Sequence, residues 1–230
     1  MVKEGIQIAE EITKQKPYYT RTWIYLGIFK TYMLEKDPGN RELQKEVNYA
    51  FEKATTLSFK RNDIFYEWGR AYLVINDCQK SLEIANTCLS KNSNSGECWW
   101  LSAISNLCLG KFELYKEQEN IAFTNNFYAE SSSKLKQTLK FLLKLIENNG
   151  PNKIYYEELA KTYNLLTVRE PKNIQNHASL AYVYKELGRY KEAREHAMIT
   201  LRMSPELKTE VEAFLNSLPN TQINTDGNTN

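Results

Sequence analysis

The sequence predicts an all-α fold, a superhelix of stacked helix–turn–helix repeats. Three observations predict it. A pattern of small and bulky apolar residues recurs with a period of 34 residues wherever no insertion intervenes. Apolar residues fall at helical spacing along most of the chain. Glycine and proline are scarce, 9 and 6 in 230 residues, too few for the tight turns of an all-β chain.

The repeat is clearest at "HASLAYVYKELGRYKEAREHAMITLRMSP", where Leu180, Ala181, Tyr184, Gly188, Tyr190, Ala193, Ala197, Thr200 and Pro205 mark it. Stepping back 112 residues, the same places hold Trp68, Gly69, Tyr72, Asn76, Cys78, Ser81, Ala85, Cys88 and Ser93. Stepping forward 34 from there, they hold Ser102, Ala103, Asn106, Gly110, Phe112, Tyr115, Glu119, Ala122 and Phe127. This pattern resembles the tetratricopeptide repeat (TPR) family, whose unit is a 34-residue helix–turn–helix. The resemblance implies a right-handed α-solenoid that binds protein partners and carries no catalysis of its own.

In chain order, residues 1–17 read as a half repeat, a second helix closed by Pro17 without its first helix. The chain is therefore expected to be a piece of something longer, or to begin on an amphipathic cap. Repeats follow at about 20–59, 62–93, 96–128, 131–171 and 174–205. The first carries an insertion at "MLEKDPGNRELQKEV", and the fourth is divergent, with a long connection at "ENNGPN". A capping helix over 206–218 has Leu207, Val211, Phe214, Leu215 and Leu218 on its apolar face. Residues 219–230 are small, polar and aperiodic, and read as a disordered tail.

Packing explains the pattern. Small residues at Gly27, Gly69, Ala103 and Ala181 are expected to let each first helix approach its own second helix, so that Gly69→Leu and Ala181→Leu are both expected to be severely destabilising. Ala54, Ala85, Ala122 and Ala197 serve the second helices. Trp23, Phe65 and Trp99 form a buried packing row, with His177 in the corresponding place. The adjacent row, Ile24, Tyr66, Trp100 and Ala178, faces a concave groove, with Ile28, Arg70, Ile104 and Tyr182 one turn on. Neighbouring helix positions point about 100° apart, so Trp99 is expected inside and Trp100 half-exposed.

The predicted groove residues are thus Ile24, Ile28, Tyr66, Arg70, Trp100, Ile104 and Tyr182, and the predicted occupant is a peptide or a partner helix. The family's clamp for a C-terminal carboxylate begins with a lysine and an asparagine. Ile24 and Ile28 stand in those places here, and only Arg70 is of a suitable type.

Wording such as "PYYTRTWIYLG" and "GECWWLSAISNLCLGKFE" further resembles repeat domains at the C-terminus of bacterial O-antigen ligase/polymerase-like membrane proteins. That resemblance implies a membrane part outside this chain, which would carry any glycan chemistry and any membrane association of the protein.

No catalytic constellation, phosphate loop, cofactor motif or metal-ligand spacing is present. The net charge of +2 lacks the clustered basic excess of a nucleic-acid binder. No apolar run reaches the roughly 20 residues of a membrane span. The basic helix at 133–150, with Lys134, Lys136, Lys140 and Lys144, is read as a packed first helix, the alternative being a helix lying on an anionic membrane. Cys78, Cys88, Cys98 and Cys108 are read as reduced packing residues. Within one helix, ten residues of rise separate Cys78 from Cys88, and Cys98 from Cys108, by roughly 15 Å, too far for a disulfide.

Overall fold

Left-handed residues punctuate the chain at the ends of first helices. The computed structural model describes residues 2–127 and 132–219. It divides into two compact units, residues 1–130 and 131–230, each a run of helices packed on their sequence neighbours. Among the described residues there are twelve α-helices and no strand. Residues 220–230, most of the expected tail, lie outside the described residues, as does the junction at 128–131.

The N-terminal unit contains α1 (Val2–Gln15), α2 (Thr20–Leu34), α3 (Arg41–Leu57), α4 (Asn62–Val74), α5 (Cys78–Lys91), α6 (Gly96–Cys108) and α7 (Phe112–Thr124). The C-terminal unit contains α8 (Ser132–Asn149), α9 (Lys153–Arg169), α10 (Ile174–Glu186), α11 (Tyr190–Met203) and α12 (Lys208–Asn216), with a 3₁₀ turn over Pro205–Leu207.

Two kinds of turn alternate. After α4, α6 and α10, Asn76, Gly110 and Gly188 adopt φ of 61°, 72° and 71°. Each begins the same closing bond. Asp77 N–H donates to the Tyr72 carbonyl at 2.9 Å, Lys111 to Asn106 at 2.8 Å, and Arg189 to Tyr184 at 2.8 Å. This six-to-one bond satisfies a carbonyl left over at the helix end, and the left-handed residue it needs explains glycine or asparagine there. Asn126 closes α7 in the same way. The other turn type puts Ser58, Asn92 and Ser204 at φ of −154°, −148° and −144°, out of the helix, each N–H still bonded four residues back.

The small residues have the expected burial but not always the expected neighbour. Ala54, Ala85 and Ala122 are fully buried. A Cβ at Gly27 would meet the Phe51 ring of α3 at 2.7 Å, so this glycine does admit its own second helix. A Cβ at Gly69 would instead meet Leu101 Cδ2, in the next first helix α6, at 2.2 Å. The glycine serves the contact between repeats.

The cysteines overturn their expected reduced state. Cys78 is bonded to Cys108 and Cys88 to Cys98, with Cα separations of 6.1 and 6.0 Å. The pairs excluded within single helices stay excluded, but α5 and α6 form an antiparallel hairpin. Two residues equidistant from its turn face each other. Cys88 and Cys98 lie five residues either side of Ser93, and Cys78 and Cys108 fifteen. The hairpin is stapled at both ends.

Helix α8 turns its apolar face inward, with Leu135 and Leu142 fully buried, while Lys136 pairs with Glu170 at 2.7 Å. At the C-terminal end, Val211 of α12 covers Ala181 and Ala197. Arg194 donates to the carbonyls of Leu215, Leu218 and Pro219, closing the end of α12. No helix among the described residues is long and apolar enough to cross a membrane.

Candidate functional site

The predicted groove row meets different fates in the two units. In the N-terminal unit, α2 packs on α4 and α4 on α6. The row between them is covered. Ile24, Tyr66, Trp100 and Ile104 are buried, Trp100 completely, and Ile28 and Arg70 are half-buried. Arg70 pairs with Glu67 and lies 5.8 Å from the Tyr66 ring centroid.

The expectation that Trp100 stands half-exposed is therefore corrected. Phe127, in the turn after α7, stacks on it with centroids 5.1 Å apart and planes at 15°, and Tyr66 leans on it at 5.8 Å. Gly96 makes this roof possible. A Cβ there would meet the Asn125 carbonyl oxygen at 2.6 Å and the Phe127 nitrogen at 3.2 Å. The sequence register marks position 127 only as the end of a repeat. The asparagine at 126, a residue type that tolerates the left-handed region, was the available signal, and in the structure it turns the chain so that Phe127 meets Trp100. Trp99, expected in the packing row, is only half-buried, and its indole Nε1 donates to the Ser93 carbonyl at 2.7 Å. Trp23 makes the same bond to the Pro17 carbonyl six residues back, at 2.7 Å.

In the C-terminal unit, α8 and α10 make no comparable contact, and the space between them is open. It is a groove of about 450 Å³, lined by Leu143 and Ile146 of α8, Tyr156 and Tyr163 of α9, and Gln175, Ala178 and Tyr182 of α10. Tyr182 is 54% exposed and Leu143 49%. Two predicted inner-row residues, Ala178 and Tyr182, thus line open space. The tyrosines from α9 were not singled out by the sequence register.

The electrostatics of this groove centre on Glu186, one turn after Tyr182. Its carboxylate raises the Tyr182 phenol above its ordinary value, and burial adds to the effect. Burial raises the Tyr156 phenol, with Glu186 contributing. Both phenols are held neutral, able to donate and accept hydrogen bonds, beside an exposed negative charge.

A second hollow, of about 600 Å³, lies between α1 and α3 over α2. At its floor the Lys30 ammonium is held by Glu10 at 2.8 Å and Glu46 at 2.6 Å. Burial alone would lower its pKa. The two carboxylates outweigh that and raise it. The cation is neutralised by the three helices that surround it.

His177 and His196, on α10 and α11, meet with Nδ1 atoms 3.0 Å apart and rings stacked at 5.3 Å. Among the described residues, no three histidine, cysteine, aspartate or glutamate side chains cluster as metal ligands would.

No protein-family model matches the sequence, and no curated protein matches it. Several solved structures are similar in fold. A crystal structure of MamA protein covers 80% of this chain and 94% of its own at 12% identity, with a TM-score of 0.49. YrrB, described as a TPR protein with an unusual peptide-binding site, covers 89% and 96% at 13% identity, with a TM-score of 0.47. TTC0263, a thermophilic TPR protein of Thermus thermophilus, covers 86% and 99% at 17% identity, with a TM-score of 0.42. At these levels the fold description rests on the helices and turns themselves.

Proposed function

We propose that this chain is a non-catalytic interaction scaffold, and that it holds a peptide or a partner helix in the groove between α8 and α10. The observation that carries the reading is the open, tyrosine-lined surface itself. Tyr156, Tyr163 and Tyr182 converge there from two helices, with Leu143 and Ile146 opposite. Aromatic side chains offer large contact area at low entropy cost and dominate binding surfaces of this kind. The exposed carboxylate of Glu186 beside two neutral phenols favours a ligand with an apolar anchor followed by a lysine or arginine.

Of the residues expected to bind, Tyr182 is put forward as a contact. Ile24, Ile28, Tyr66, Arg70, Trp100 and Ile104 are assigned to packing within the N-terminal unit, because Phe127 and the neighbouring helices occupy the space a ligand would need.

A displayed peptide library selected on the purified chain tests this. Selected peptides should share an apolar residue next to a basic one. Tyr182→Ala and Tyr163→Ala should each weaken their binding about tenfold or more, as hot-spot truncations do. Melting should change little for the exposed Tyr182. Peptides that bind both variants as well as the parent chain would place the site elsewhere.

A further inference from the structure

The two disulfides differ in what surrounds them. Cys88 and Cys98 are fully buried beside Phe65, with Ile84 and Leu89 packed on them. Cys78 is 5% exposed and Cys108 half-buried. Both of the latter line an open cavity of about 440 Å³, together with Asn76, Asp77 and Leu109. The left-handed turn at Asn76 and the end of α6 form its walls. One bond is sealed in apolar packing and the other borders a space large enough for a small thiol.

We infer that Cys78–Cys108 is a thiol-exchange site for low-molecular-weight thiols, while Cys88–Cys98 is a structural cross-link that such thiols do not reach in the folded chain. The inference is independent of the groove. Exchange proceeds by in-line attack of a thiolate on one sulfur, and access decides which bond reacts. Cys108 is the more exposed residue of the pair. The incoming thiolate bonds to Cys108 Sγ, the Cys78–Cys108 bond breaks, and its electron pair leaves on Cys78 Sγ. Cys78 is the first residue of α5, where the helix dipole favours a thiolate even beside the Asp77 carboxylate that caps the Lys80 amide, whereas Cys108 is the last residue of α6, where the dipole disfavours one, so Cys78 is the better leaving group. The product is a mixed disulfide on Cys108. A second thiolate then attacks the sulfur of the bound small thiol, releasing a small disulfide and a Cys108 thiolate, which takes a proton. A low-molecular-weight disulfide reverses both steps and serves as the oxidant that closes the bond.

Opening this bond does not free the hairpin. Cys88–Cys98 still holds α5 to α6 beside their turn, and the Ser105 hydroxyl still donates to Ser81 Oγ at 2.8 Å between the two staples. The open ends of the hairpin, and the Asn76 turn against them, are what is released.

The test uses the oxidised full chain without denaturant. It is incubated with reduced glutathione, sampled over time, blocked with N-ethylmaleimide and mapped by peptide mass spectrometry, while circular dichroism follows the helices. Glutathione on Cys108 and maleimide on Cys78 should accumulate on the order of tenfold or more faster than any label on Cys88 or Cys98, since access sets the rate. Helical signal should persist through this first phase. Labelling of all four cysteines together, or labelling of Cys88 and Cys98 first, would overturn the inference. So would opening of Cys78–Cys108 only in step with loss of helical signal.

Discussion

At Trp100 and Trp99, single residues reverse the roles that their register suggests. Trp100 is completely buried against Phe127 and Tyr66, so Trp100→Ala should destabilise the N-terminal unit by about 3–5 kcal/mol. Trp99 is half-buried with one indole hydrogen bond, and Trp99→Ala should cost about 1–2 kcal/mol. Urea denaturation of the two variants measures the order. Gly69 and Ala181 also part company. Gly69→Leu would drive a side chain into the buried Leu101, an overpacking that costs about 1–3 kcal/mol or more. Ala181 instead borders an apolar hollow of about 180 Å³ beneath α12. Ala181→Leu has room to extend into that hollow and should cost less than Gly69→Leu, and paired melting curves should separate the two variants. The histidine pair adds a pH dependence. Burial lowers the pKa of His177, and burial and then the neighbouring His177 lower that of His196, with Glu195 opposing. Folded values below the unfolded one mean that the unfolded chain binds protons more readily. The stability from the neutral pair is whole above the ordinary value of 6.5 and is lost as pH falls through the lowered folded values. The urea midpoint of the C-terminal unit should fall at mildly acidic pH, and His177→Phe should flatten part of that fall.

At the scale of elements, α1 is attached by a charge as well as by apolar packing of Ile6 and Ala9. Its inner face buries Ala9 and Thr13, and Glu10 reaches Lys30 on α2, which also holds Glu46 on α3. One ammonium thus joins three helices. Lys30→Met would leave two carboxylates facing each other across the hollow and should cost about 1.5–3 kcal/mol, as loss of hydrogen bonds to charged groups does. Hydrogen exchange should localise the loss to α1, which would open before α3. Unchanged protection of α1 would show that its apolar contacts suffice. The same scale explains why the groove is open in one unit and shut in the other. First helices that touch, as α2, α4 and α6 do, leave no room between them, and Phe127 covers what remains. Between α8 and α10 there is no comparable contact, and the tyrosines of α9 show through.

Across the whole molecule, each of the two compact units is held by contacts between helices that neighbour one another in sequence. All four tryptophans, Trp23, Trp68, Trp99 and Trp100, belong to the N-terminal unit, and so do both disulfides. Tryptophan fluorescence therefore reports on that unit alone, whereas circular dichroism reports on both. Repeat arrays, in which each unit contacts mainly its neighbours, can unfold in steps. Urea should remove the helical signal in two steps, only one of them matched by fluorescence. Full reduction of the disulfides should lower the fluorescence step and leave the other in place, because cross-links act by restricting the unfolded chain that carries them. Coincident transitions by both probes, before and after reduction, would mean that the two units unfold as one.

Much of the fold was legible in the chain because it is local. Helices, their caps and their turns depend on residues a few positions apart. Asn76, Gly110 and Gly188 could be aligned by eye, and all three are left-handed. The burial of Ala54, Ala85 and Ala122 followed from the same period. What only the tertiary structure decided depends on which helices face each other and how closely. The pairing of Cys78 with Cys108 needs the antiparallel hairpin of α5 and α6, not a spacing within either helix. The room beside Ala181 and its absence beside Gly69 arise from different neighbours at equivalent register positions. The site follows the same rule. Tyr182 was visible as an inner-row residue, but Tyr156 and Tyr163 reach the groove only because α8 and α10 do not close over them. A repeat sets which face of a helix is apolar. The distance to the next helix, set by packing across the whole unit, determines whether that face becomes core or binding surface.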